Sequence, residues 1–141
     1  MADLDPLIRV RRHTVEQKQK FLAELYRQVE AMQQQKSNLE SALLNERKVV
    51  DDLGTAEAIA YFGRYSIVAR NAIEHLGKEI AKMETRIDIA REDMRAAYAE
   101  QKKVEITQKR RQDRAAAEER KKEDKELDEI GIEGFRRKGE E

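Results

Sequence analysis

Between Leu7 and Leu53 there is neither proline nor glycine, and apolar residues return every seven positions. One set is Ile8, Val15, Leu22, Val29, Lys36, Leu43 and Val50; the interleaved set is Arg11, Lys18, Leu25, Met32, Leu39, Glu46 and Leu53. Ten of these 14 positions are apolar, and the ladder resumes beyond Gly54. There the sets are Ile59, Ser66, Ile73, Ile80, Ile87, Met94, Gln101 and Phe62, Ala69, Leu76, Met83, Ala90, Ala97, Val104, with 12 of 14 apolar when alanine is counted. A 3.5-residue repeat held this long commits each segment to a helix that supercoils left-handedly against a partner helix.

The partner is available in the same chain. If the two helices fold back antiparallel about Gly54, residues whose numbers sum to 112 face one another. Leu53 then meets Ile59, Val50 meets Phe62, Leu39 meets Ile73, Val29 meets Met83, Leu25 meets Ile87 and Ile8 meets Val104. Two polar layers coincide, Glu46 with Ser66 and Arg11 with Gln101. Lys36 opposite Leu76 and Lys18 opposite Met94 are unmatched, but lysine stems can line a seam while their ammoniums reach water.

The ends of the helices are also marked. Asp5-Pro6 predicts an N-cap followed by a proline at the first helical position. Gly54-Thr55 predicts a C′ glycine and then the next N-cap, with Glu57 in the first turn. The expected boundaries are a first helix over about 7–53, a turn over about 54–58 that Gly63 allows to broaden as far as 64, and a second helix over about 56–130. Gly131, Gly134 and Gly139 predict a frayed, flexible tail over 131–141. The first helix would span roughly 70 Å at ~1.5 Å per residue. The fold class is therefore all-α: one stalk-like domain, a long antiparallel two-helix coiled-coil hairpin with a C-terminal helical overhang.

Composition narrows the function. Charged residues are 41% of the chain and aromatics 5%, which disfavours β-sandwich and α/β folds. Without cysteine there is no disulfide, thiol nucleophile or cysteine-ligated metal. No apolar run reaches the roughly 18 residues of a membrane span, and no signal-like segment opens the chain. His13 and His75 each lack a second histidine at helical spacing, so they read as ordinary flanking residues, and no metal site follows. There is no phosphate-binding glycine loop, and a two-helix seam builds no shielded site to shift a pKa. Neither enzymatic activity nor a cofactor is expected.

What remains is recognition. Residues 109–114 form a basic cluster, Lys109, Arg110, Arg111 and Arg114, but 105–141 as a whole carries 11 basic and 12 acidic residues. That balance favours a solvated, charge-paired helix over nucleic-acid binding, which wants excess positive charge. Tyr61, Tyr65 and Val68 lie off the seam near the turn; they either pack on the neighbouring helix or form a docking patch. Leu127, Ile130, Ile132 and Phe135 stand in a polar tail whose acidic neighbours oppose an anionic bilayer; they fray or fold onto a partner.

With this layout the chain resembles the FliJ family, small coiled-coil proteins of the flagellar type III export apparatus. The stretches that carry the likeness are LIRVRRHTVEQKQKFLAEL (7–25), YSIVARNAIEHL (65–76) and ERKKEDKELDEIGIEGFRRK (119–138), the last with Leu127-Asp128-Glu129-Ile130 inside a lysine-rich helix end. The resemblance implies a fold similar to the two-helix coiled coil of the rotary-ATPase γ subunit. It further implies binding to the hexameric export ATPase with promotion of its assembly and activity, docking on the cytoplasmic domain of the export gate, and handling of export chaperones. By alignment the gate-facing positions are Tyr65, Ala69, Ala72 and Leu76 with Gln35 and Leu39; the chain departs from the family at Ala42, Glu46 and Ala69. The N-terminal turns and 100–126, with Lys109, Arg110, Arg111 and Arg114, are expected to enter the ATPase ring, and Leu127, Asp128, Glu129 and Ile130 are further partner-binding candidates. The expected particle is a monomeric hairpin in the cytoplasm, associated with the inner membrane at the flagellar base without inserting into it. An injectisome-type stalk protein or a generic coiled-coil scaffold would share the pattern.

Overall fold

The computed structural model describes residues 3–140. Helix α1 spans Asp5–Leu53 and helix α2 spans Ala56–Glu140; there is no strand among the described residues. The two helices contact each other as an all-α hairpin.

Their ends follow from local chemistry. The Asp3 carboxylate accepts the Asp5 amide at 3.0 Å, and the Ile8 amide donates to the Leu4 carbonyl at 2.9 Å. The capping side chain is thus Asp3 rather than the expected Asp5, which sits in the first turn, where its charge favours the positive end of the helix. At the other end the turn is as short as a turn can be. Gly54 takes φ 63°, its amide donates to the Val50 carbonyl at 3.0 Å, and the Thr55 hydroxyl accepts the Ala58 amide at 3.1 Å. Gly63 is plain helix, so the bend does not broaden towards 64. Nor does α2 stop near 130. Gly131, Gly134 and Gly139 each weaken a helix by about 1 kcal/mol relative to alanine, but they are separated by residues that continue the hydrogen-bond ladder.

The chain divides into two compact units, residues 14–97 and residues 3–13 with 98–140. In the first, Leu22, Leu25, Val29, Ile80, Met83, Ile87 and Ala90 form a buried cluster, with Met32 and Met94 packed on it. Leu22 and Ala90, Leu25 and Ile87, Val29 and Met83, and Met32 and Ile80 each sum to 112, the expected register. Leu25, at 2% exposure, is its most buried side chain. Lys36 is half-buried, and its ammonium lies at the edge of the seam, 3.7 Å from where a β-carbon on Gly77 would sit, an ordinary contact distance. Ser66 is buried and satisfied within its own helix, donating to the Gly63 carbonyl at 3.0 Å.

The outermost expected layer is not buried. Leu53 and Ile59 are 61% and 60% exposed, because they occupy the last turn of α1 and the first turn of α2, at the end of the seam. In the second unit, Ile8 is buried and Val104 half-buried, while the Arg11 layer is not a direct pair. Gln101 donates instead to Glu105 at 3.0 Å, and Arg11 Nε is buried without a hydrogen-bond partner. With α1 beginning at Asp5, residues after about 107 on α2 have no counterpart in the seam register, and 109–139 are exposed apart from half-buried Ala115 and Ala117.

Candidate functional surfaces

A seam of this kind buries a stripe and leaves flanks. On each helix the residues just before the first seam set share one flank of an antiparallel pair, and those just after the second set share the other. Within 14–97, Gln35, Ala42 and Val49 of α1 and Ala58, Tyr65 and Ala72 of α2 fall on the first flank. Of the expected gate-facing residues, Tyr65, Ala72 and Gln35 therefore share a flank by register. Leu39 and Leu76 are half-buried seam positions, and Ala69, at 5% exposure, offers almost no surface.

Tyr65 stacks on Tyr61 of its own helix, with ring centroids 6.2 Å apart and planes 15° from parallel. This i,i+4 stack makes one aromatic surface of two side chains. Val68, a further turn along, is well exposed, as is Val49 on α1. Val49 was not singled out from the sequence; its place immediately before the seam residue Val50 was the available signal.

In the unit formed by 3–13 and 98–140, Lys109, Arg110, Arg111 and Arg114 are exposed on the unpaired part of α2, as are Leu127, Asp128, Glu129 and Ile130. The basic cluster and the apolar-acidic segment are thus accessible, about 20 Å apart along the axis at ~1.5 Å per residue. Below them is a polar cluster that sequence reasoning did not predict. Arg12 donates from Nε to Glu105 at 3.2 Å and pairs with it through a terminal nitrogen at 3.1 Å. Lys102 bonds the second carboxylate oxygen at 3.0 Å and lies 5.2 Å from the centre of the Tyr98 ring. The Glu105 carboxyl is held at about 2, first by the Gln101 amide, then by Lys102, against a partial loss of solvation; Arg12 adds to the effect. Its partner Lys102 is correspondingly raised, chiefly by the hydrogen bond to Glu105.

His13 and His75 are exposed, and no group of three His, Asp or Glu could hold a metal among the described residues. Nor is any helix long and apolar enough to cross a membrane among those residues.

Two helices that bury a narrow seam and present flanks, a tight turn and an unpaired helical end define a coiled-coil protein whose exposed surfaces are helix faces. The family model FliJ: Flagellar FliJ protein matches residues 1–140. The chain belongs to that family and is a component of flagellar protein export. Neither the curated proteins nor the solved structures provide a match.

Proposed function

We propose that the chain is a non-catalytic stalk subunit of flagellar type III export, working in the cytoplasm at the inner-membrane base of the flagellum. Its paired ends and 100–126 engage the hexameric export ATPase and promote its assembly and activity. The flank bearing Tyr61, Tyr65, Ala72 and Val49 docks on the cytoplasmic domain of the export gate, and the protein also handles export chaperones. The observation that carries this reading is the family match over 1–140 in a chain whose α2 continues, exposed, past the point where α1 can cover it. Exposed guanidinium and ammonium groups on a solvated helix suit adjustable contacts with successive ring subunits.

The test keeps the chain at full length. Reversing Lys109, Arg110 and Arg111 to glutamate should abolish stimulation of the export ATPase while circular dichroism shows the helices intact. Unaltered stimulation would remove the ATPase-binding role from this cluster. In parallel, Tyr65→Ala should weaken binding to the gate domain and leave ATPase stimulation alone; undiminished gate binding would return Tyr65 to simple packing on Tyr61.

A further inference from the structure

The unit formed by 3–13 and 98–140 is held together differently from 14–97. Residues 14–97 enclose a cluster of seven buried apolar side chains. Where 3–13 lie against α2, Ile8 is buried, Leu4 and Val104 are half-buried, and Leu7 is exposed at the edge of an open cleft that it lines with Leu4, Val104, Thr107 and Arg111. The seam position beside Ile8 is Arg11, whose buried Nε has no partner. Burying a donor without an acceptor opposes closure. Polar contacts also join the two segments: Arg12 with Glu105, and the Gln108 amide reaching the Asp3 and Asp5 carboxylates at 3.5 and 3.4 Å. Among these Glu105 is central, since Gln101 and Lys102 fix its carboxylate from within α2 and present it to Arg12.

We infer that residues 3–13 are a detachable arm, which separates from 98–108 and unwinds as one cooperative piece while 14–97 stays folded, and that Glu105 is the latch. Regions with few buried apolar contacts open at lower free energy than the core and often do so as contiguous units. The arm is distinct from ordinary fraying of a helix end in two respects: its amides open together, and they answer to a residue on the other helix. This inference does not depend on what the protein binds.

Native-state hydrogen exchange on the full chain, read residue by residue, tests it. The amides of 8–13 should exchange at closely similar opening rates, at least about tenfold faster than those of 22–29. Glu105→Gln should accelerate all of 8–13 by a common factor of about five to ten and leave 22–29 unchanged. Arg12→Gln should do the same from the other side. Glu92→Gln, which breaks the Glu92–Arg95 pair inside α2, should leave the arm as it is. A graded rise in exchange towards Leu4 that ignores both latch variants would reduce the arm to fraying. Equal acceleration of 8–13 and 22–29 would make the hairpin a single cooperative unit and overturn the inference.

Discussion

Arg12 and Glu105 form an ion pair that joins α1 to α2, at 3.1 Å; among the described residues the other six pairs each link positions three or four apart within one helix. Both residues stand one position after a seam residue, Arg11 and Val104, and their numbers sum to 117. At the same sum, Tyr26 falls with Arg91, Gln33 with Glu84, Glu40 with Gly77 and Arg47 with Arg70, none of which is a pair of opposite charges. The cross-helix charge match is thus made once on this flank, beside the seam layer that holds Arg11 and Gln101 in place of apolar residues. Exposed pairs contribute little on average, but the same pair can select a register where packing selects weakly.

Acid should expose this arrangement. The Glu105 pKa lies at about 2, below its ordinary value of 4.5, so the folded state binds a proton here less readily than the unfolded chain. A depressed carboxylate stabilises the fold above the unfolded pKa, and that contribution disappears as pH falls through the folded one. The contribution of the Arg12 and Lys102 contacts to stability should accordingly be constant from neutrality to about pH 4.5, then decline towards pH 2, while the contacts themselves persist until the carboxyl protonates near the lower limit. Following the Glu105 carboxyl by carbon-detected magnetic resonance should give a midpoint near the lower limit; one in the ordinary glutamate range would mean that the cluster does not persist in solution.

The glycines separate by backbone rather than by burial. Gly63 and Gly77 are helical, and a β-carbon would meet open space at the first and only the Lys36 ammonium, at 3.7 Å, at the second. Gly63→Ala and Gly77→Ala should each raise stability by up to about 1 kcal/mol, since alanine is the better helix former. Gly54 also has open space around it, but its φ of 63° is left-handed. Gly54→Ala should therefore lower stability by about 1–2 kcal/mol. Thermal melts of the three variants suffice, and a destabilised Gly63→Ala would show that the bend has a second component there.

Lys36 tests the cost of a charge in the seam. Its stem lies half-buried at a position whose register partner is Leu76, with the ammonium at the edge beside Gly77. Lys36→Leu should raise the melting temperature, because an apolar side chain gains the full transfer free energy there, about 1.5–3 kcal/mol at most. A polar residue at such a position also restricts register and oligomeric state at a cost in stability. Light scattering should then detect self-association of the variant at concentrations where the parent chain shows none; a more stable variant with unchanged association would leave Lys36 no role in specificity.

What could be read from the sequence was whatever depends on periodicity. Leu25 opposite Ile87 and Val29 opposite Met83 followed from the seven-residue spacing and one turn position, since a helical seam has few ways to close. Gly54-Thr55 was equally legible, because the turn needs one left-handed residue and one cap. That the Leu53–Ile59 layer stays exposed was not legible, because a repeat says which side of a helix faces inward but not whether anything covers its end. Arg11 and Gln101 coincide in register, yet Gln101 spends its amide on Glu105, a choice that depends on side-chain reach. Of the residues proposed for docking, Tyr65, Ala72 and Gln35 share a flank by register, whereas Ala69 is taken up by the seam.

The seam itself makes the sharpest stability contrast. Leu25 is enclosed by the cluster that includes Leu22, Val29, Met83 and Ile87, so Leu25→Ala removes buried methyl groups and leaves a cavity that helical backbones cannot collapse to fill. Such truncations cost about 2–5 kcal/mol. Leu53 occupies the same repeat four heptads later but is 61% exposed, and Leu53→Ala should change stability by no more than about 0.5 kcal/mol. Urea unfolding at equilibrium gives both values. Comparable losses for the two variants would mean that the outermost layer closes in solution and that the seam runs to the turn.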